Sequence, residues 1–143
     1  KQVLQTYPDK VAWVYRHFPI PSLHERAMKE AEATECAAEL GGNQAFWKYL
    51  DEIFIRTNSN DSLDPSELPI IAGDIGLNVS NFNTCLNSGR YTEKVQKSME
   101  EAVKSGARGT PYPTIITKDG KQTTLRGAEP FESVKAKIDS LIK

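Results

Sequence analysis

The sequence predicts an α/β domain whose β-rich parts are separated by a block of helices, and two observations carry that expectation. Apolar residues follow one another almost without a break over residues 11–18, whereas over residues 22–105 they recur at helical spacing. β-branched runs then return at residues 113–117 and 122–125, on either side of Asp119-Gly120, a strong hairpin signal. At 143 residues the chain fits one domain and can bury a real core.

Taken in order, Val3, Leu4 and Tyr7 make a short helical face that Pro8-Asp9 ends, as if a helix were already under way at Lys1. Residues 11–18 are dense in β-branched and aromatic side chains and close at Pro19, the pattern of a strand buried on both faces. Ser22 with Glu25 three positions on reads as a capping box opening a helix that stops at Gly41-Gly42. The inner face of that helix is small: Ala27, Ala31, Thr34 and Ala38. A second helix over residues 44–57 carries Phe46, Tyr49, Leu50, Ile53 and Phe54 inward, and Trp47 joins its aromatic core. Asp64, Pro65 and Glu67 form a strong start signal for a third, which Gly76 ends. Ser80 caps a fourth that Gly89 breaks, and residues 91–105 make a fifth. After the hairpin, Pro130 opens a terminal helix with Phe131, Val134, Ile138 and Leu141 inward. Asn60 and Asn78 match the glycosylation pattern but read as loop and cap chemistry.

Charge and hydropathy narrow the function classes. Lys and Arg number 18 against 19 Asp and Glu, so the basic excess that marks a nucleic-acid or anionic-membrane partner is missing. The longest apolar stretches are too short to span a bilayer.

The motifs sharpen the fold. Val14 to Pro21 (VYRHFPIP), Ala31-Glu32-Ala33-Thr34-Glu35-Cys36-Ala37, Phe46-Trp47 with Asp51-Glu52-Ile53-Phe54, Phe82-Asn83-Thr84-Cys85-Leu86, Gly109-Thr110-Pro111-Tyr112 and Gly127-Ala128-Glu129-Pro130-Phe131 stand in one order. Together they resemble the DsbA-like thiol-disulfide oxidoreductases, a thioredoxin fold with an inserted helical domain, over nearly the whole chain. The resemblance implies a thioredoxin-like part at residues 1–21 and 107–143 and a helical insertion at 22–106. It also implies that the family's Cys-x-x-Cys lies upstream of Lys1, so that the N-terminal strand and the start of the first helix are missing. That motif works by placing two thiols at a helix N-terminus, where the dipole and free N–H groups stabilise the attacking thiolate. No such pair occurs in the 143 residues, and the chain as given is expected to be catalytically inactive.

Cys36 and Cys85, 49 positions apart, are not half of a Cys-x-x-Cys. A structural disulfide across the helical layer is the expectation; free buried thiols packing as small hydrophobes are the alternative. A metal site is not expected, because His17 and His24 are the only histidines and lack ligand spacing, and no cofactor is expected. Thr110-Pro111 resembles the cis-proline loop of thioredoxin-like sites, where the residue before the proline pairs with substrate like an added strand, with Tyr112 beside it. Without the family, a trans-proline turn entering a strand is the plain reading. His17 reads either as lining the active-site edge or as a histidine at a strand end.

The resemblance therefore implies disulfide oxidation or isomerisation in an intact extracytoplasmic parent of the bacterial periplasm or cell envelope. Its partners would be cysteine-containing protein substrates and a protein that reoxidises or reduces it. The alternatives are a non-catalytic thioredoxin-like polypeptide-binding domain and a relative of the kappa-type glutathione transferases. Without the central strand, residues 11–18 and 113–117 are expected either to pair directly or to recruit a second copy, as a homodimer or strand-swapped assembly.

Overall fold

In the computed structural model, residues 1–142 are described and fall into two compact units. One comprises Lys1–Arg16 with the residues from Ser105 onward, and the other His17–Lys104. The helical unit thus begins and ends a few residues before the boundaries expected at 22 and 106.

The first unit contains α1 (Gln2–Thr6), β1 (Thr114–Ile116), β2 (Gln122–Thr124) and α6 (Phe131–Leu141). β1 and β2 form an antiparallel hairpin in the register Thr114↔Thr124, Ile115↔Thr123 and Ile116↔Gln122. Its turn holds Gly120 at φ +83°, a conformation that glycine adopts without the steric cost a Cβ brings. Thr117 N donates to Lys121 O at 3.0 Å, and the Thr117 hydroxyl bonds the Asp119 carboxylate. Val3, Tyr7 and Ile138 are the buried centre, with Val11, Ile115, Phe131 and Val134 packed against them. Tyr7 Oη donates to Asp139 Oδ1 at 2.6 Å and joins α1 to α6. Leu4, expected on the same face, is exposed instead, because a five-residue helix has room to bury one side only.

Residues 11–18 are not a strand. The sheet of the described residues has two members, β1 and β2, and neither pairs with this segment. Strand formation needs a neighbour that supplies ladder partners, and side-chain propensity cannot provide one. The segment is not buried on both faces either, since Trp13 and Val14 are 50% and 74% exposed. The direct pairing of residues 11–18 with β1 is likewise absent from the described residues.

The second unit is helical: α2 (Ala27–Arg56), α3 (Glu67–Asp74), α4 (Val79–Ser88) and α5 (Thr92–Lys104). α2 has two limbs, because Gly42 at φ +70°, ψ −167° leaves the helical region and breaks it where the Gly41-Gly42 stop was expected. A Cβ added at Gly41 would lie 2.6 Å from the Ala45 Cβ and 3.0 Å from Leu77. Gly41→Ala should therefore overpack the joint and lower stability by about 1–2 kcal/mol, which a urea melt would read.

The first limb starts at Ala27, five residues beyond the expected Ser22 cap. Residues 20–26 instead make turns, and Arg26 is committed to the loop before α3. Its N–H donates to Asp61 Oδ1 and its guanidinium to the carbonyls of Asp61 and Leu63. The cap of α4 is Asn78 rather than Ser80: its Oδ1 accepts from Asn81 N at 2.9 Å. Asp64 accepts from Ser66 N at 2.8 Å, at the start of α3.

The core of this unit joins Ala33, Ala37, Tyr49, Ile53, Leu68, Ile71, Phe82 and Leu86. Alanines at 33 and 37 let α2 approach its neighbours closely. The Tyr49 and Phe82 rings pack at 5.3 Å, and Tyr49 Oη donates to Leu68 O at 2.8 Å, so its hydroxyl is buried with a partner. Phe54, expected inside, is 62% exposed near the end of the second limb.

Candidate functional site

In the first unit, the turn between α5 and β1 ends in Thr110 and Pro111, both exposed, and the peptide bond between them is cis. Tyr112 is half-buried and its Oη donates to Ser105 O at 2.7 Å. Ala107 is buried beneath the loop, and Leu125 N donates to Pro113 O at 2.9 Å, fixing the loop's exit on the hairpin. Pro113 lacks an N–H, so at its own position it leaves β1 without a ladder donor.

In the second unit, Cys36 on α2 and Cys85 on α4 form a disulfide with Cα atoms 5.8 Å apart. Both residues are 1% exposed. Glu39 lies beside the bond: its Oε2 is 3.9 Å from Cys85 Sγ and accepts from Tyr91 Oη at 2.8 Å. Arg90 Nη1 holds Glu39 Oε1 at 3.0 Å. Burial first, and then the Glu39 carboxylate, push the Tyr91 hydroxyl up to about 12.

The residue before Cys36 was missed by sequence reasoning. Glu35 is buried, with its Oε1 3.1 Å from His17 Nε2 and its Oε2 2.5 Å from Lys94 Nζ. Thr34 Oγ1 is 3.3 Å from the same His17 nitrogen, and the His17 ring stands edge-on to Phe46 at 6.0 Å. Burial pushes the Glu35 carboxyl up, but the bonds from His17 and Lys94 outweigh it and hold the group below the usual range. Glu32, one turn earlier, is buried as well and is met by Lys29 at 2.9 Å and Thr92 at 2.7 Å. The only signal for either was a carboxylate inside an alanine-rich stretch.

The sequence-predicted residues therefore separate. Thr110, Pro111 and Tyr112 share one exposed loop, and Cys36 and Cys85 staple the helical unit. His17 is buried within that unit against Glu35 rather than standing at an exposed strand end.

Residues 1–139 match the model of the DSBA-like thioredoxin domain, so the chain belongs to that family. The fold is that of the DsbA-like proteins, thioredoxin-like with a helical insertion. Among solved structures it is similar to DsbA2 of Pseudomonas aeruginosa, with a TM-score of 0.79 and 25% identity over 98% of this chain and 76% of that one. Among curated proteins it is similar to the Na(+)/H(+) antiporter NhaA of Herminiimonas arsenicoxydans, 31% identical over 94% of this chain. NhaA 3 of Salinispora tropica is 33% identical over 78% of the chain. The chain spans only 19% and 16% of those two proteins. Among the described residues no helix is long and apolar enough to cross a membrane.

Proposed function

We propose that the chain is the polypeptide-binding part of a protein disulfide oxidoreductase, acting by thiol-disulfide exchange in an intact parent. The family match over residues 1–139 carries this reading. In it, the exposed Thr110–Pro111–Tyr112 loop receives an extended, cysteine-containing segment of a substrate protein as an added strand. In this reading the catalytic pair is a Cys-x-x-Cys that the 143 residues do not contain, and a separate redox partner restores it. Residues 1–21 and 107–143 are the thioredoxin-like part and residues 22–106 the helical insertion. The Cys36–Cys85 bond supports an extracytoplasmic location, because such bonds persist in oxidising surroundings. The test is an amide-shift titration of the isotopically labelled chain with a peptide whose single cysteine is S-methylated. Shifts concentrated at Thr110 and Tyr112 support the reading; shifts scattered over the surface, or none, overturn it.

A second reading is favoured by the curated relatives: a thioredoxin-like domain carried by a Na(+)/H(+) antiporter. An intact parent that fractionates with membranes and exchanges Na⁺ for H⁺ would favour it.

A further inference from the structure

The Ser105–Tyr112 segment is closed into a ring by one side chain. The Tyr112 hydroxyl donates to the Ser105 carbonyl at 2.7 Å and so links the two ends of the loop that holds Thr110. Gly106 fits this closure from the other side. It sits at φ +93°, and a Cβ there would stand 3.3 Å from the Tyr112 hydroxyl. Ala107, 4% exposed, anchors the ring, while Arg108, Thr110 and Pro111 face solvent. Among the described residues, neither the N–H nor the carbonyl of Thr110 meets a backbone partner. The ring thus presents an open main-chain edge on a loop tied at both ends, by Tyr112 to Ser105 and by Pro113 to Leu125.

We propose that Tyr112 is a positioning residue for substrate polypeptide: its clasp on Ser105 holds the Thr110 backbone in place to pair with an extended peptide. The inference rests on the reading that this loop receives substrate. Strand addition draws its affinity from main-chain hydrogen bonds, and these reward an edge already ordered before the peptide arrives. Tyr112 supplies that order through Ser105 rather than by reading the substrate's side chains. The peptide it serves is therefore defined by extended backbone, with little demand on sequence.

The experiment uses the 143-residue chain and the S-methylated cysteine peptide, comparing wild type with Tyr112→Phe, which removes only the hydroxyl. Loss of one hydrogen bond's worth of loop order should weaken peptide binding roughly 3- to 10-fold. In the free protein, ¹⁵N relaxation should report greater backbone motion at residues 106–110, and amide exchange should stay unchanged in the helical unit. Should Tyr112→Phe disturb exchange throughout, Gly106→Ala serves instead, since its Cβ crowds the same hydroxyl while leaving the tyrosine in place. Wild type that shifts Thr110 on titration, with variants that bind equally well, overturns the clasp and leaves the substrate reading standing. Wild type with no response at Thr110 removes both.

Discussion

Replacing Cys36 and Cys85 together with alanine should lower the unfolding free energy by roughly 4 kcal/mol on the chain-entropy relation. The bond ties α2 to α4 across a separation of 49 residues, so the oxidised chain has far fewer unfolded conformations to gain. Both side chains are 1% exposed in the main core, so the two alanines also forfeit sulfur contacts there. Guanidinium unfolding of the oxidised wild type against the double variant at neutral pH measures the difference. A loss below about 1 kcal/mol would show that the helical unit holds together without its staple, against the entropy term.

Glu35→Ala should cost about 1 kcal/mol near neutral pH, the low end for leaving a buried hydrogen-bond partner unpaired, and the gap to wild type should close in acid. The low end applies because Lys94 is 61% exposed and recovers its hydration, whereas His17, at 7%, is left buried beside the gap. The pH dependence follows from the depressed carboxyl. A carboxylate whose folded value lies below its unfolded one contributes fully above about pH 4.3, and that contribution fades as pH falls through the folded value. Urea midpoints at pH 7 and pH 3 would show it. A gap that stays constant or widens on acidification would mean that Glu35 acts by packing rather than by charge.

The parts of the fold legible in the sequence are those decided by neighbours along the chain. Asp119-Gly120 specifies its hairpin turn, Gly41-Gly42 breaks α2, and Gly89 stops α4, because each position imposes a backbone conformation locally. Residues 11–18 misled for the opposite reason: their side chains suit a sheet, but a ladder depends on what lies alongside. At Ser22 the capping letters are present, yet Arg26 is held by Asp61, 35 residues away. The carboxylates of α2 were hidden in the same way. Glu35 draws its partners from 18 residues before it and 59 after it, distances over which no periodicity carries a signal. The loop of Thr110 and Pro111 stood out through its motif, whereas the Tyr112 contact with Ser105 is visible only in coordinates.

Any sulfur–sulfur bond in a protein carries a hazard: a passing thiolate can attack it and exchange partners. The Glu39 carboxylate at 3.9 Å from Cys85 bears on that hazard. Exchange begins with an anionic thiolate approaching a sulfur along the bond axis. Here both sulfurs lie in residues 1% exposed, and the Cys85 side is roofed by a negative charge that Arg90 and Tyr91 keep in place. An incoming thiolate must open the core before it meets sulfur, and a thiolate expelled at Cys85 would form against the Glu39 carboxylate. The bond is thereby shielded from exchange, as a permanent tie between α2 and α4 has to be.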